Sequence, residues 1–388
     1  MANSIAERLE YSPPSRTRLG SGWEASTLVL LTLLALSAGL ISVYSASSVK
    51  ATAQGLPHYY YVARQLMGGA LGLLLLVLAA NTDYRRYRLF AWPLLVGTVA
   101  ALAILVLPGT ESIAPQINGA RRWLVLGPVV IQPSEFAKIT LIAWTAAMAV
   151  KKQEKLHSLS RGLGPFLAVW LAVGGLIAME PSLSAALLAL LLAGLVVFAA
   201  GARIGHFVAL GLVALPLLIS QVSGLAYRLD RVRAYRDMNI DVSGLSYQIN
   251  QALIAMGSGG LIGRGFGHGQ QKFGFLPEPH NDFILAMIGE EWGFVGVLMV
   301  IVLFALIALI GYRIARHAPD LFGFLLAIGL TNLIVVPAFL HMAVNLSIVP
   351  TTGVTLPFFS YGRSSLLVSL AAVGVLVNVA RQAGRRTE

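Results

Sequence analysis

Apolar runs long enough to cross a lipid bilayer recur from one end of the chain to the other, with polar stretches between them. A membrane-spanning helix needs about 20 such residues, whereas a membrane β-barrel shows short alternating segments. The pattern therefore predicts an all-α, polytopic membrane protein with about ten transmembrane helices. The predicted spans lie near residues 25–45, 65–81, 89–107, 135–150, 164–180, 183–200, 206–222, 283–312, 321–343 and 364–381.

These spans form one predicted membrane domain, residues 23–381, between polar tails at 1–22 and 382–388. No apolar signal-peptide core with a cleavage site follows the first charges, so we expect both tails in the cytoplasm. Residues 223–282, between spans seven and eight, are too many for a simple connection and predict a large outer loop. Within it, residues 246–263 carry a helical apolar pattern that runs into a glycine-rich segment, which could cradle a phosphate or be a flexible surface loop.

Composition supports the membrane assignment and excludes several functions. The chain has 57% hydrophobic and 12% charged residues and a mean hydropathy of +0.76. It contains no cysteine, which excludes disulfides and thiolate chemistry. Its seven histidines form no HExxH motif or close pair, which argues against a zinc site. The net charge of +11 indicates anionic lipid or an anionic substrate, and not nucleic acid, because the basic residues are dispersed among the spans.

The distribution of Lys and Arg orients the predicted spans. More than half of the 28 basic residues fall in segments that are cytoplasmic when both termini are, as the positive-inside rule expects. Most of the others cluster in two outer segments, one with Arg121 and Arg122 and one with Arg228, Arg231 and Lys272. Binding of an anion would explain cations on the disfavoured side. The alternative is a solvated loop whose arginines pair with its own aspartates.

Candidate acid–base residues stand where the eighth span begins. Glu278, His280 and Asp282 lie within a few residues of one another at this boundary. A partly desolvated carboxylate suits a general base, although Asp282 could instead cap the helix. Glu278 could support that base or pair with a cation, and His280 could bind substrate or be structural.

Two further carboxylates, Glu290 and Glu291, follow inside the eighth span. Charges in hydrocarbon are costly unless they are paired or face a cavity. We therefore expect both glutamates to pair with basic residues and hold the helix in place.

The start of the fourth span, QPSEFAK at residues 132–138, also carries charge. Ser134 is expected to cap the helix, and Glu135 suits the positive end of its dipole. Lys138 lies about one turn inside the apolar run, where it could snorkel outward, neutralise a buried acid or bind diphosphate oxygens.

Proline and glycine interrupt the apolar pattern between spans nine and ten, in PTTG at 350–353 and LPFFSYG at 356–362. Broken backbone at membrane depth is tolerated where it lines a cavity or packs against protein. These segments therefore predict a partly buried outer pocket.

Taken together and in order, these motifs resemble those of the SEDS family (shape, elongation, division and sporulation) over nearly the whole chain. The resemblance rests on residues 44–47 (YSAS), 64–65, 118–123 (NGARRW), 132–138, 227–231, 247–260, 276–283 (LPEPHNDF), 289–291 (GEE) and 356–365 (LPFFSYGRSS). The IGEEWG and PTTGVTLPFFSYG stretches look closer to the family's cell-division member than to its elongation member.

This resemblance implies a peptidoglycan glycosyltransferase that polymerises lipid II on the outer face of the bacterial cytoplasmic membrane. It also implies a class B penicillin-binding protein as transpeptidase partner, beside other divisome or elongasome proteins. Asp282 matches the essential aspartate, with Glu278 in support. The expected substrate-binding residues are Lys138, Arg121, Arg122, Arg228, Arg231, Lys272, His280, Gln132, Ser360 and Tyr361. A divalent cation (Mg²⁺ or Mn²⁺) could help neutralise the leaving diphosphate, but the sequence fixes no ligands for it.

The chain departs from the family pattern at two positions. Ser182 stands where the family usually has an aspartate (PDLGT), so any role of that carboxylate shifts to Glu180 or is lost. Arg363 replaces the second glycine of the usual SYGGSS. Two other functions stay open: a transporter that flips lipid II, and a non-enzymatic scaffold that recruits the transpeptidase.

Overall fold

The computed structural model describes residues 22–117, 119–127, 129–158, 162–223 and 244–385, and these are mainly helical. Residues 1–21 and 224–243 lie outside the described part. The second of these ranges includes Arg228 and Arg231 of the predicted site. The helices are α1 Trp23–Ala53, α2 Tyr60–Asn81, α3 Arg85–Val106, α4 Pro133–Lys151, α5 Gly164–Met179, α6 Leu183–Ala199, α7 Ile204–Ser223, α8 Leu245–Ser258, α9 Ile284–Arg316, α10 Leu321–Asn345 and α11 Arg363–Arg385.

Each predicted span coincides with a helix in the described part, namely α1–α7 and α9–α11. By length and composition, six of these helices could cross a membrane: α1, α2, α3, α9, α10 and α11. Shorter apolar helices lie at Gly164–Met179, Leu183–Ala199 and Ile204–Pro216. A polytopic helical membrane protein is therefore confirmed, while the count of ten spans and their orientation stay predictions.

Helix α10 lies at the centre of the bundle. It is the most buried of the six long apolar helices, and it packs against α4, α6, α9 and α11. Helix α11 packs along α2, where Gly72 and Gly374 admit close approach: a Cβ on Gly72 would lie 2.4 Å from a Leu370 methyl group. Small residues commonly permit such contacts between membrane helices. The long apolar side chains of α2 and α3 are largely exposed, as expected of faces turned to lipid.

A short β-hairpin precedes α4 and was not predicted. Strand β1, Leu124–Leu126, pairs antiparallel with β2, Val129–Ile131, so that Leu124 faces Ile131. Gly127, with φ 62°, lies in the turn, where a positive φ costs glycine little. In the sequence, this apolar stretch could not be told from an ordinary connection, because three-residue strands carry almost no periodicity.

The glycine-rich segment after α8 lies along a break in α9. Helix α8 ends at Ser258, so the predicted short helix that runs into a glycine-rich segment is present. Gly293 interrupts α9 with φ 70° and ψ −164°. The amides of Phe294 and Val295, freed by the break, donate to the carbonyls of Gly260 (2.9 Å) and Leu261 (3.1 Å).

Two further hydrogen bonds have their donors in the glycine-rich segment and their acceptors in α9. The amides of Arg264 and Gly265 donate to the carbonyls of Glu290 and Glu291, each at 3.0 Å. These amides bind protein, so the segment is neither an open phosphate cradle nor a free surface loop at this point. Two of its glycines are required by close approach, since a Cβ on Gly259 would lie 1.9 Å from the Gly289 carbonyl oxygen and a Cβ on Gly263 would lie 2.2 Å from the Glu291 carbonyl oxygen.

Glu290 and Glu291 are buried, and their predicted pairing with basic residues is confirmed. The Glu290 carboxylate accepts from the amides of Gln270 (2.7 Å) and Gln271 (3.2 Å) and lies 3.8 Å from Arg264. The Glu291 carboxylate accepts from Lys272 Nζ (2.9 Å) and from the Ser45 hydroxyl of α1 (2.5 Å). The two acids therefore bind the glycine-rich segment to α9.

We expect Gly293→Ala to destabilise the protein by at least about 2 kcal/mol, because the left-handed backbone disfavours any side chain. A Cβ there would also lie 2.3 Å from the Gly263 nitrogen. Thermal unfolding of the purified protein in detergent measures this. Gly97→Ala is the control, since Gly97 lies in α3 with open space around its Cβ position. Equal melting temperatures for the two variants would contradict the role of the break.

Candidate functional site

A cavity of about 560 Å³ lies among the start of α4, the connection between α5 and α6, and the segments that precede α9 and α11. Its wall includes Gln132, Glu135, Lys138, Asn281, Asp282 and Tyr361. Residues 349–355 also line it, together with Pro357 and Gly362. The prediction that the proline- and glycine-broken segments line a cavity is confirmed.

The start of α4 contributes an ion pair to this wall. Lys138 Nζ lies 2.7 Å from Glu135 Oε1, and both side chains are largely buried. Of the three roles considered for Lys138, neutralisation of a neighbouring acid is the one that the geometry shows. The i, i+3 spacing places both groups on one helix face.

The expected cap of α4 was wrong. Helix α4 begins at Pro133, and Gln132, in extended conformation, holds the cap position without a side-chain cap bond. Proline is favoured at the first helical position, because its missing N–H needs no partner there. Ser134 therefore lies inside the first turn, 3.3 Å from Gln132 Nε2. The Gln132 amide donates to Ser364 Oγ of α11 at 2.9 Å.

Asp282 lies on the cavity wall just before α9. Helix α9 begins at Ile284, and Phe283 holds the cap position, so capping is not the role of Asp282. Asp282 thus stands in the connecting segment beside Asn281, which shares the wall.

Three successive backbone carbonyls fix the segment that carries Asp282. The His280 carbonyl accepts from the Tyr361 amide at 2.9 Å, and the Asn281 carbonyl accepts from the Ser360 hydroxyl at 2.7 Å. The Asp282 carbonyl accepts from Asn345 Nδ2 at 3.1 Å. This part of the backbone is therefore held from the segment before α11 and from the end of α10.

Asn345 ties the same segment to the first turn of α9. It is almost fully buried, and its Oδ1 accepts from the Ala286 amide at 3.1 Å. One side chain thus bonds the segment before α9, at the Asp282 carbonyl, and the Ala286 amide of the first turn, which also donates to the Phe283 carbonyl at 3.0 Å. Asn345 could not be identified from the sequence, because a single asparagine in an apolar helix gives no sign of its partner.

Glu278 and His280 lie behind the wall and do not line the cavity. Glu278 forms an ion pair with Lys50 of α1 and accepts from Asn281 Nδ2 at 2.9 Å. His280 is buried against the rings of Tyr61 and Tyr361, with centroids 4.7 and 5.6 Å away. Burial lowers the pKa of His280 to about 4, against the opposing effect of Glu278.

The predicted substrate-binding cations are not all brought together. Lys138 and Arg122 line the cavity. Arg121 pairs with Glu111 at 2.5 Å and lines a separate pocket. Lys272 is buried in its pair with Glu291.

Gln132 and Tyr361 also line the cavity, whereas Ser360 lies behind it and bonds backbone groups. Burial raises the pKa of the Tyr361 phenol, and the neighbouring positive charges of Arg363 and Arg64 oppose this.

Both positions at which the chain departs from the family pattern, Ser182 and Arg363, lie at the cavity. Ser182 lines it, whereas Glu180 is buried and lies outside the lining. Arg363 also lines it. Within the described residues, no group of three or more His, Asp or Glu could hold a metal ion. The divalent cation therefore remains a prediction without a ligand set.

The fold and the cavity define a class: a helical membrane protein with a charged pocket built where its helices begin and end. The chain belongs to the FtsW/RodA/SpoVE family, since the family model described as "Cell cycle protein" matches residues 25–385.

Curated relatives and solved structures agree with this assignment. Stage V sporulation protein E of Bacillus subtilis is 39% identical over 91% of this chain and 96% of its own length. A probable peptidoglycan glycosyltransferase FtsW of Trichlorobacter lovleyi is 40% identical, over 92% of this chain and 93% of its own.

Among solved structures, a chain from work on the structural coordination of polymerization and crosslinking by a peptidoglycan synthase complex matches with a TM-score of 0.76. It is 30% identical and covers 92% of this chain and 97% of its own length. The rod shape determining protein RodA of Thermus thermophilus matches with a TM-score of 0.66 at 30% identity, over 92% of this chain and 96% of its own.

We expect the melting temperature to fall as the pH drops from about 6.5 to about 4, with His280 as one cause. In this window an unfolded histidine binds a proton that buried His280 does not, so stability is lost on acidification. Thermal unfolding in detergent at several pH values measures the slope. His280→Asn should flatten it, whereas His268→Asn, at an exposed histidine, should not. Equal slopes for wild type and His280→Asn would refute this.

Proposed function

We propose that this protein is a peptidoglycan glycosyltransferase that polymerises lipid II into glycan strands. The observation that carries the proposal is a single cavity that brings together Asp282, an acid–base candidate, and the buried Glu135–Lys138 pair. The relatives at about 40% identity named as probable glycosyltransferases support it.

Asp282 acts as the general base in the proposed reaction. Its carboxylate takes the proton of the acceptor sugar hydroxyl as that oxygen attacks the anomeric carbon of the lipid-linked donor. The new glycosidic C–O bond forms while the bond to the diphosphate breaks, and undecaprenyl diphosphate leaves with both electrons. Lys138 and Arg122 on the wall offset the charge that develops on the leaving group.

Location and partners follow from the substrate. We place the protein in the bacterial cytoplasmic membrane with both termini in the cytoplasm, ten spans and the cavity at the outer face, where lipid II is polymerised. Exposed apolar helix faces support contact with lipid. The match to a chain of a peptidoglycan synthase complex supports a class B penicillin-binding protein as partner. The sequence motifs favour the division role, alongside other divisome proteins.

We expect Asp282→Ala to reduce glycan polymerisation at least about 100-fold, because removal of a general base costs roughly that much. Purified protein with its transpeptidase partner and labelled lipid II gives the polymer yield on gels. Glu154→Ala, at an exposed carboxylate on the short helix after α4, is the control and should keep full activity.

Each outcome of this experiment selects a function. Polymer formed by Asp282→Ala at the wild-type rate would remove Asp282 from the mechanism. Movement of labelled lipid II between leaflets without polymer would identify a transporter. If the wild type neither polymerises lipid II nor moves it between leaflets, but still binds the transpeptidase partner, the protein is a scaffold.

Asn345→Asp should lower kcat with little change in KM. The substitution keeps an oxygen for the Ala286 amide but removes the donor to the Asp282 carbonyl, so it disturbs the placement of the base and spares the binding surface. Steady-state polymerisation kinetics separate the two parameters. A parallel loss of folded protein, or a change confined to KM, would show that Asn345 has no positioning role.

A further inference from the structure

Arg363 is a cation of the cavity wall that the proposed mechanism does not use. It is half-buried, follows Tyr361 and Gly362 on the same wall, and is the first residue of α11. Its aliphatic stem lies against α2 at Gly68, where a Cβ would approach Arg363 Cγ to 3.2 Å. The glycine therefore leaves the room that this long side chain occupies.

The other cations of the wall are already engaged with protein groups. Lys138 pairs with Glu135 at 2.7 Å. The Arg122 guanidinium donates to the backbone carbonyls of Glu180 at 3.1 Å and Pro181 at 2.6 Å. Within the described residues, by contrast, Arg363 has no carboxylate within 4 Å of its nitrogens. It adds a positive charge to the wall that no acid of the described chain neutralises.

The position of Arg363 on its helix makes this charge more costly. The N-terminus of a helix carries a partial positive charge, and a cation in the first turn is disfavoured there. Helix α11 has no acidic residue in its first turn to compensate. An anion bound at this end of the cavity would relieve both repulsions.

The chemistry of the side chain indicates which anion. A guanidinium presents a planar fork of donors that matches phosphate oxygens in two parallel hydrogen bonds. We propose, resting on the proposed function, that Arg363 is a phosphate-binding residue of this cavity and contacts the diphosphate of the polyprenyl-linked donor. The headgroup of an anionic phospholipid offers the same phosphate chemistry, and the experiment separates these two sources.

Binding of farnesyl diphosphate to the purified full-length protein in detergent tests the assignment without turnover. We expect Arg363→Gln to weaken binding about tenfold and Arg363→Lys to weaken it less, because lysine keeps the charge but loses the fork. Arg88→Gln is the matched control, since Arg88 is an exposed arginine in the first turn of α3, away from the cavity. It should bind as the wild type does.

Gly68→Ala gives a second perturbation that leaves the charge in place. The added methyl group would lie 3.2 Å from Arg363 Cγ, so the stem must shift. We expect this shift to weaken diphosphate binding several-fold and to change the melting temperature little. Unchanged binding in both Arg363→Gln and Gly68→Ala would overturn the assignment. Competition by phosphatidylglycerol stronger than by farnesyl diphosphate would assign the site to a membrane lipid and overturn its role for substrate.

Polymerisation kinetics test the phosphate site at Arg363 separately from the glycosyltransferase activity. In an active protein, Arg363→Gln should lower kcat/KM for lipid II about tenfold. If the wild type makes no polymer, and Arg363→Gln binds farnesyl diphosphate more weakly than the wild type does, the glycosyltransferase proposal fails and the phosphate site stands. If polymerisation proceeds at an unchanged kcat/KM in Arg363→Gln, the function stands and the phosphate site fails.

Discussion

The structure depends on satisfying the backbone where α9 is broken at Gly293. Inside a membrane, amides and carbonyls that lose their helical partners cost several kcal/mol each unless protein replaces them. The glycine-rich segment supplies that replacement, with bonds in both directions between Gly260–Gly265 and the helix. Buried Glu290 and Glu291 then hold the following residues through amides and through Lys272. Glu290 and Glu291 thus stabilise the fold.

This arrangement determines where Asp282 stands. The glycine-rich segment is bound along α9 at the level of the break, and the chain must then return to the start of that same helix. Asn345 bonds both the Asp282 carbonyl and the first turn of α9. The Tyr361 amide and the Ser360 hydroxyl bond the two preceding carbonyls. The segment is therefore fixed by its backbone, and Asp282 lines the cavity.

The helices could be predicted from the sequence because each long apolar run carries its own signal, independent of its neighbours. The burial cost of Glu290 and Glu291 likewise predicted that they would be paired. Their partners could not be predicted, since Lys272 and Ser45 approach only through the tertiary fold. The same limit applies to Glu278, which lies four residues before Asp282 yet pairs with Lys50 of α1, and to Ser134, displaced from the cap by Pro133.

The pairing of charges around the cavity bears on how a polymerising enzyme must treat its leaving group. Catalysis requires interactions stronger in the transition state than with substrate or product, and a wall of unpaired cations would hold the released diphosphate. Lys138 is paired with Glu135, and Arg122 donates to two backbone carbonyls, so both keep their charge while protein groups already occupy some of their donors. Arg363 is the exception within the described wall. A chain that adds one such cation should gain affinity for the diphosphate of the donor and release the lipid diphosphate product more slowly.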